Sequence, residues 1–225
     1  MNSEPRSSLM HRYLDPASSL GEVVFGLIMT LTFTLAAGII IDEEGTEGVR
    51  ELLIALIGCN IAWGVIDGAM YLMGQLFDRG RKRRVGASVR GAPDGAAAMA
   101  IVEGELDTWL DDVMTVPERQ ALYKRVATIV RDKPGAAGFI TKADLMGAFT
   151  SFCLVVIASA PAAIPFLMID DSHLALRISN GILLALLFAT GFSWAKYTLG
   201  KPWMVGFSFL TVGLGLVALA IALGG

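Results

Sequence analysis

The sequence predicts an all-α, polytopic membrane protein with five transmembrane helices and a cytoplasmic helical hairpin between the second and third of them. Apolar residues make up 54% of the 225 positions, and only 17% of the positions are charged. The mean hydropathy is +0.61, which is unusually high for a soluble domain of this length. These values indicate that most of the chain is solvated by a lipid bilayer.

The membrane spans are predicted from apolar runs of sufficient length. A spanning helix needs about 20 mainly apolar residues, because each residue advances it by roughly 1.5 Å across a hydrocarbon core of about 30 Å. We expect the first run to remain as a span, since no signal-peptide cleavage pattern follows it at a suitable distance. The predicted spans are residues 23–41, 52–77, 145–169, 178–195 and 202–225.

Basic residues between the spans predict the orientation of the chain. Cytoplasmic loops accumulate Lys and Arg, whereas the loops after the first and third spans are acidic. We therefore expect the N-terminus inside and the C-terminus outside, in the inner (plasma) membrane of a cell. The basic residues suit anionic lipid headgroups better than a nucleic acid, so no nucleic-acid partner is expected. They are Arg79, Arg81, Lys82, Arg83, Arg84 and Arg90 after the second span, and Lys196 and Lys201 before the fifth.

The chain is predicted to have three parts. Residues 1–77 hold an N-terminal cytoplasmic segment and two spans, residues 78–141 form a cytoplasmic insert, and residues 142–225 hold three spans. The insert opens with a Gly-rich basic linker. It is too small to be an independent enzyme.

Helix-start signals divide the insert into a helical hairpin. Pro93 and Asp94 suit the first turn of a helix that runs to about Met114. Thr115 and Glu118 have the spacing of a capping box, which predicts the start of a second helix. That helix is expected to stop before Pro134.

Asp67 is the candidate that carries most of the chemistry, because it is the one charged residue of the second span. Placing a carboxylate in the bilayer costs about 2.5 to 3.5 kcal/mol on insertion scales. Asn60, Gly64 and Asp67 fall on one helix face, with Gly68 beside them as a further packing position. This pattern indicates a cation or proton site. The alternative is a structural carboxylate that is protonated or paired with a hydroxyl.

Small and polar residues line one side of the first span. Gly26, Thr30, Thr34 and Gly38 repeat every four residues, which is typical of close helix packing, although the hydroxyl groups could also line a pathway. Glu22 lies at the predicted cytoplasmic mouth of this span. It is either a favourable charge at a helix N-terminus or part of an ion entry.

Two further groups of side chains are candidate metal ligands. Met29 and Met70 offer thioethers, which suit transition metals, although methionine in apolar helices is more often a packing residue. Glu103, Asp107 and Asp111 belong to an acidic stretch of the hairpin, where Asp107 and Asp111 are one turn apart and could share a hard cation. The alternative for this stretch is a solvated helix face.

The sequence does not favour an enzyme or a permanently bound cofactor. It contains no GxSxG, P-loop or HExxH motif. The cysteines, Cys59 and Cys153, lie in apolar runs, and the histidines, His11 and His173, are predicted at opposite membrane faces. Neither pair indicates a disulfide or a metal centre.

The layout of the chain resembles the vacuolar iron transporter family. The segments that carry this resemblance are FGLIMTLTFTLAAG at 25–38, AWGVIDGAMY at 62–71 and GAFTSFCLVVIASAPAAIPFL at 147–167. Met29 stands where the family has a first-span aspartate, and Asp67 would have to replace the second-span glutamate. The family's cytoplasmic domain is also richer in glutamate pairs than residues 78–141. The resemblance implies a homodimer that exports Fe²⁺ or Mn²⁺ from the cytosol in exchange for protons.

These observations lead to one preferred hypothesis and two rivals. The preferred one is a divergent, dimeric transporter of Fe²⁺ or Mn²⁺, with Asp67 as the membrane carboxylate, Met29 and Met70 as soft ligands, and Asn60 and Thr30 as polar lining. The first rival is a non-transporting membrane protein whose hairpin recruits a partner. The second is a proton-coupled carrier of a small organic solute.

Overall fold

The computed structural model describes residues 15–36, 38–133 and 140–222, with the side chains of 36–47, 220 and 221 left out. All regular secondary structure in these ranges is helical. In chain order the helices are α1 (Pro16–Ala36), α2 (Gly38–Gly91), α3 (Gly95–Leu110), α4 (Val116–Asp132), α5 (Lys142–Met168), α6 (Ser172–Trp194), a 3₁₀ turn (Ala195–Tyr197) and α7 (Pro202–Ala222).

Five of the described helices are long and apolar enough to cross a membrane, which confirms the predicted number of such segments. They are α1, the apolar part of α2, α5, α6 with its 3₁₀ turn, and α7. Large apolar side chains also remain exposed along α2, among them Ile54 at 62% and Val65 at 59%. Water would disfavour such a surface, whereas lipid accommodates it.

Two stretches that the sequence predicts as connections are helical instead. Helix α2 runs without a break through residues 42–51, the predicted acidic loop, and through the predicted Gly-rich basic linker. No proline interrupts the chain between Gly38 and Gly91, and the Lys and Arg residues of the linker favour helix. The first helix is also shifted, because it covers Pro16–Ala36 where the sequence predicts residues 23–41.

Helix α1 begins at a cap that the sequence prediction did not include. The Asp15 carboxylate accepts hydrogen bonds from the backbone N–H groups of Ala17 and Ser18 at 2.9 and 3.0 Å. The Ser18 hydroxyl donates to the other carboxylate oxygen at 2.5 Å. These hydrogen bonds, led by the one from the Ser18 hydroxyl, lower the pKa of Asp15 below its ordinary value.

The described chain forms two compact units. One, the membrane unit, contains the described residues up to Tyr71 and from Lys142 onward; the other, the hairpin unit, is Leu72–Thr141. The core of the membrane unit is built by α1, α5, α6 and α7. Its buried side chains are Leu27, Leu31, Ala162, Leu183, Leu187 and Val217.

The hairpin unit contains the two helices that the sequence predicts for residues 78–141, packed on each other. Asp94 caps α3 by accepting from the Ala97 backbone N–H at 2.7 Å. Helix α3 ends at Leu110, four residues earlier than predicted. The predicted capping box is present at α4: the Thr115 backbone N–H and hydroxyl donate to Glu118 Oε2 at 2.9 and 2.6 Å. Helix α4 ends at Asp132, before Pro134 as predicted.

The core of the hairpin unit joins the end of α2 to both hairpin helices. Val89 from α2, Val102 from α3 and Tyr123 from α4 are all at most 4% exposed. The three helices therefore share one small hydrophobic core.

Candidate functional site

Three polar side chains from three different helices meet inside the membrane unit. The carboxyl group of Glu22 on α1 interacts with the carboxyl group of Asp67 on α2 and with the hydroxyl group of Ser151 on α5. Glu22 and Asp67 are partly buried, and Ser151 is fully buried. We refer to Glu22, Asp67 and Ser151 as the carboxyl cluster.

Glycines bring α5 close to both of the acid-bearing helices. A Cβ atom added to Gly26 of α1 would lie 2.9 Å from the Val155 carbonyl oxygen, and one added to Gly68 of α2 would lie 2.9 Å from the Ala148 carbonyl oxygen. Both distances are shorter than side chains tolerate, so only glycine permits these approaches. The carboxyl cluster is positioned by this backbone packing.

A second pair of close contacts fixes the register of α2 against α5. A Cβ atom at Gly64 would lie 2.9 Å from the Phe152 ring, and one at Gly147 would overlap the Tyr71 hydroxyl oxygen. Asn60, Gly64 and Asp67, which the sequence places on one helix face, therefore lie on the inward side of α2, and Tyr71, one turn after Asp67, continues that side.

The hydrogen-bonding capacity of the carboxyl cluster is not fully used within the described chain. Asp67 Oδ2 and Ser151 Oγ are buried without a well-formed hydrogen bond. The groups that interact with the Glu22 carboxyl are Asp67 and Ser151, and neither of them is basic. Two adjacent carboxyl groups repel when both are charged, so a proton or a cation between them is stabilised.

The three residues are at similar depths along their helices. At roughly 1.5 Å per residue, Glu22 lies about 9 Å along α1 from Pro16 and Ser151 about 13 Å along α5 from Lys142. Asp67 lies about 15 Å before Phe77, the last apolar residue of the second span, by the same rise. The cluster therefore lies nearer the start of α1 than its end, and nearer the start of α5 than its end.

Polar contacts continue along the inner side of α1 beyond the cluster. The Thr30 hydroxyl donates to the Gly26 carbonyl at 2.7 Å and approaches Asn60 Oδ1 on α2 at 3.4 Å. The Thr34 hydroxyl donates to Asn180 Oδ1 on α6 at 2.6 Å. Thr30 and Thr34 are completely buried. From Glu22 to Thr34 this polar track covers about 18 Å of helix axis.

The other predicted membrane candidates lie less centrally. Met29 is partly buried, while Met70 is 58% exposed on the outer surface of α2. The side chains around Gly38 are not described, so the packing role of Gly38 stays a prediction.

The predicted acidic site of the hairpin contains its own cation. Asp107 and Asp111 both form ion pairs with Arg119, and the Tyr123 hydroxyl donates to Asp107 at 2.8 Å. Burial raises the pKa of Tyr123, with a smaller contribution from Asp107, and the hydrogen bond to Asp111 raises the pKa of Arg119. Glu103 is exposed. An arginine thus neutralises the two aspartates that the sequence suggests for a metal ion.

Several polar residues of the cluster and of the polar track carry no distinctive sequence signal. Ser151 is one of several serine and threonine residues in the apolar run 145–169, and Asn180 directly follows Ser179 in the run 178–195. Asp144 is also buried, 4% exposed in the first turn of α5 and on the same face as Ser151. These residues could be identified only by knowing which face of each helix is buried, and this depends on how α5 packs against α2.

No group of three or more His, Cys, Asp or Glu side chains in the described part of the chain is arranged to hold a metal ion. The carboxyl cluster supplies two carboxylates and one hydroxyl oxygen, which are hard ligands. Comparison with known proteins finds no family model that matches the chain and no match among curated proteins. The resemblance to the vacuolar iron transporter family therefore remains a prediction from the quoted segments.

Proposed function

We propose that this protein is a multi-pass transporter of a divalent transition-metal cation, Fe²⁺ or Mn²⁺, coupled to proton movement. The observation that supports this proposal most strongly is the pairing of Glu22 with Asp67 inside a bundle of apolar helices. Two carboxyl groups without a basic partner form a site that is completed by a cation or by a proton. A proton-coupled carrier works by exchanging a bound cation for a proton at such a site.

The ligand chemistry favours a hard or intermediate divalent ion. Carboxylate and hydroxyl oxygens suit Mn²⁺ and Fe²⁺, whereas thioethers suit softer ions. Met29 follows Glu22 by two helical turns, about 10 Å along the same face of α1. Its thioether is therefore too far away to share an ion with Glu22, and it would contact a transition-metal ion only further along that face. Water or a second copy of the chain would supply the remaining ligands. We propose a homodimer for this reason.

The polar track gives a moving ion a route beyond the cluster. Thr30, Asn60, Thr34 and Asn180 place oxygen atoms at successive levels between α1, α2 and α6. Hydroxyl and amide oxygens can replace part of the hydration shell of a cation. With the N-terminus inside and the C-terminus outside, as the basic residues predict, the cluster would face the cytoplasm and the ion would leave it through this track in the inner membrane.

The test is a flux measurement with purified protein in liposomes. We expect Mn²⁺ or Fe²⁺ flux from the wild type, and a loss of at least about tenfold in Asp67→Asn, because the amide keeps the shape but removes the charge. Asp170→Asn is the matched control, since Asp170 is an exposed acid of the same unit. Equal flux in wild type and Asp67→Asn would remove the cluster from the mechanism.

The recruiting hypothesis is supported by a different part of the molecule. Val113 and Val116, in and next to the connection between α3 and α4, are 76% and 55% exposed. Exposed apolar residues on a polar unit are typical of a protein-docking surface. This hypothesis expects no ion flux, and it expects deletion of residues 94–133 to be more damaging than Asp67→Asn.

A further inference from the structure

The hairpin unit contains a cavity of about 810 Å³, with all of its lining residues between Asp78 and Thr141. This volume is in the usual range for a small-molecule site, roughly 300 to 1,000 Å³. The walls are contributed by the end of α2, by α3 and by α4. Neither the proposed transport site nor the predicted acidic site uses this cavity.

The charges around the cavity are strongly unequal. Asp78 and Glu105 are its acidic lining residues, and Glu105 is occupied by an ion pair with Arg81 at 2.9 Å. Such an excess of positive charge fits an anionic group, and guanidinium groups match phosphate oxygens particularly well. The basic lining residues are Arg79, Arg81, Lys82, Arg83, Arg90 and Lys133.

The rest of the lining is largely apolar. Leu106 and Val126 contribute to it, together with Trp109, which is 80% exposed. An indole ring with an apolar body and a polar N–H is typical of protein surfaces at the membrane interface. A charged wall next to an apolar wall fits an amphiphile better than a simple inorganic anion.

The position of the cavity in the chain points to the membrane as the source of its occupant. Asp78 directly follows Phe77, the last residue of the second apolar run, and Thr141 directly precedes Lys142, the first residue of α5. In the chain, the lining therefore begins where the apolar part of α2 ends and finishes where α5 begins. Residues at such positions lie at headgroup depth.

We propose that this cavity binds one anionic phospholipid, with the phosphate group against the basic side chains and the first part of an acyl chain against Leu106, Trp109 and Val126. The binding does not depend on the proposed transport function. The fraction of hairpin units with an occupied cavity would then depend on the anionic lipid content of the surrounding membrane.

The proposal is tested by lipid binding to the full-length protein after delipidation in a neutral detergent. Native mass spectrometry gives the affinity for phosphatidylglycerol and for phosphatidylcholine with identical acyl chains. A neutral micelle has no surface potential. A preference for the anionic lipid therefore reports binding to the protein and not attraction of its basic residues to a charged membrane surface. We expect a preference for phosphatidylglycerol of about tenfold.

Matched variants separate the cavity from the surrounding charge. Lys82→Gln combined with Arg90→Gln removes two lining charges and should weaken phosphatidylglycerol binding about tenfold. Arg84→Gln combined with Arg125→Gln removes the same charge from exposed positions outside the lining and should change binding less than about twofold. Circular dichroism checks that each variant keeps its helix content.

Trp109→Ala tests the apolar wall without a change of charge. Because Trp109 is largely exposed, the variant should fold normally, and we expect its affinity for phosphatidylglycerol to fall about fivefold. Three results would overturn the proposal: equal binding of both lipids, equal losses in the lining and control pairs, or displacement of bound lipid by millimolar inorganic phosphate, which would indicate a site for a soluble anion.

Discussion

Acidic side chains meet different partners in the two units of this protein. In the membrane unit, Glu22 lies beside another carboxyl group and a hydroxyl group. In the hairpin unit, Asp107 and Asp111 lie beside Arg119, and Tyr123 adds a hydrogen bond. The hairpin acids are thus neutralised by an arginine of the same unit, whereas neither of the groups that interact with Glu22 is basic. This difference separates a structural network from a candidate transport site.

The largest difference between the two units is expected when one acid in each of them is neutralised. We expect Glu22→Gln to reduce Mn²⁺ flux at least about tenfold, as Asp67→Asn does, because each carboxyl group is half of one site. Asp107→Asn should leave the flux within about twofold of the wild type, since its partner is an arginine within the hairpin unit. Liposome flux measures both variants, and similar effects of the two substitutions would contradict the distinction.

Close packing between α2 and α5 brings Asp67 to its partners in the membrane unit. Gly68→Ala would place a Cβ atom 2.9 Å from the Ala148 carbonyl oxygen, which belongs to the backbone and moves little. We expect a destabilisation of about 1 to 3 kcal/mol, measured by reversible unfolding in mixed micelles. Gly58→Ala is the control on the same helix, because a Cβ there meets nothing within 4 Å.

A smaller effect is expected from the far end of the polar track. Asn180→Leu removes the 2.6 Å hydrogen bond from Thr34 and should cost about 0.6 kcal/mol, the average for such bonds between membrane helices. Thr32→Val is its control, since the Thr32 hydroxyl donates to Ile28 of its own helix. An equal cost for both variants would mean that the Thr34–Asn180 contact does not hold α1 and α6 together.

The smallest expected effect is a local response of the hairpin unit to pH. Hydrogen bonds from Thr115 lower the pKa of Glu118 below its ordinary value of 4.5. Because the pKa of Glu118 is lower in the folded chain than in the unfolded chain, the ionised carboxylate stabilises the start of α4 above pH 4.5. This stabilisation is lost as the pH falls through the pKa of Glu118 in the folded chain. Hydrogen exchange in the first turn of α4 should therefore rise severalfold in acid, relative to a distant turn of α4.

Glu118→Ala provides the control for that response. Without the carboxylate, exchange in the first turn should be fast at neutral pH and should not rise further in acid once the intrinsic exchange rate is taken into account. An unchanged pH response in Glu118→Ala would assign the effect to another group.

Much of the fold follows from local sequence patterns. Five apolar runs predict the five long apolar helices, and the Thr115–Glu118 spacing predicts the start of α4. The spacing of Asn60, Gly64 and Asp67 identifies the inner face of α2. These features depend on hydropathy, helix period and capping, which are properties of neighbouring residues.

The candidate site is less predictable because it depends on contacts between distant residues. The sequence leaves two roles open for Glu22, a charge at a helix N-terminus or part of an ion entry. Its pairing with Asp67 requires that α1, α2 and α5 meet at one level. Ser151 is one of several serines in apolar helices, so its type carries no information about its position. The continuity of α2 is also missed, because charged and glycine-rich stretches are common in loops but do not forbid a helix.

The most direct test of the carboxyl cluster is whether binding of a metal ion displaces protons from it. Calorimetric titration of the purified protein with Mn²⁺, repeated in buffers of different ionisation enthalpy, measures the cation affinity and the proton release together. We expect proton release on Mn²⁺ binding in the wild type and in Asp170→Asn, and neither binding nor release in Asp67→Asn. Mn²⁺ binding that is unchanged in Asp67→Asn, or that releases no protons in the wild type, would show that the carboxyl cluster is not a proton-coupled cation site.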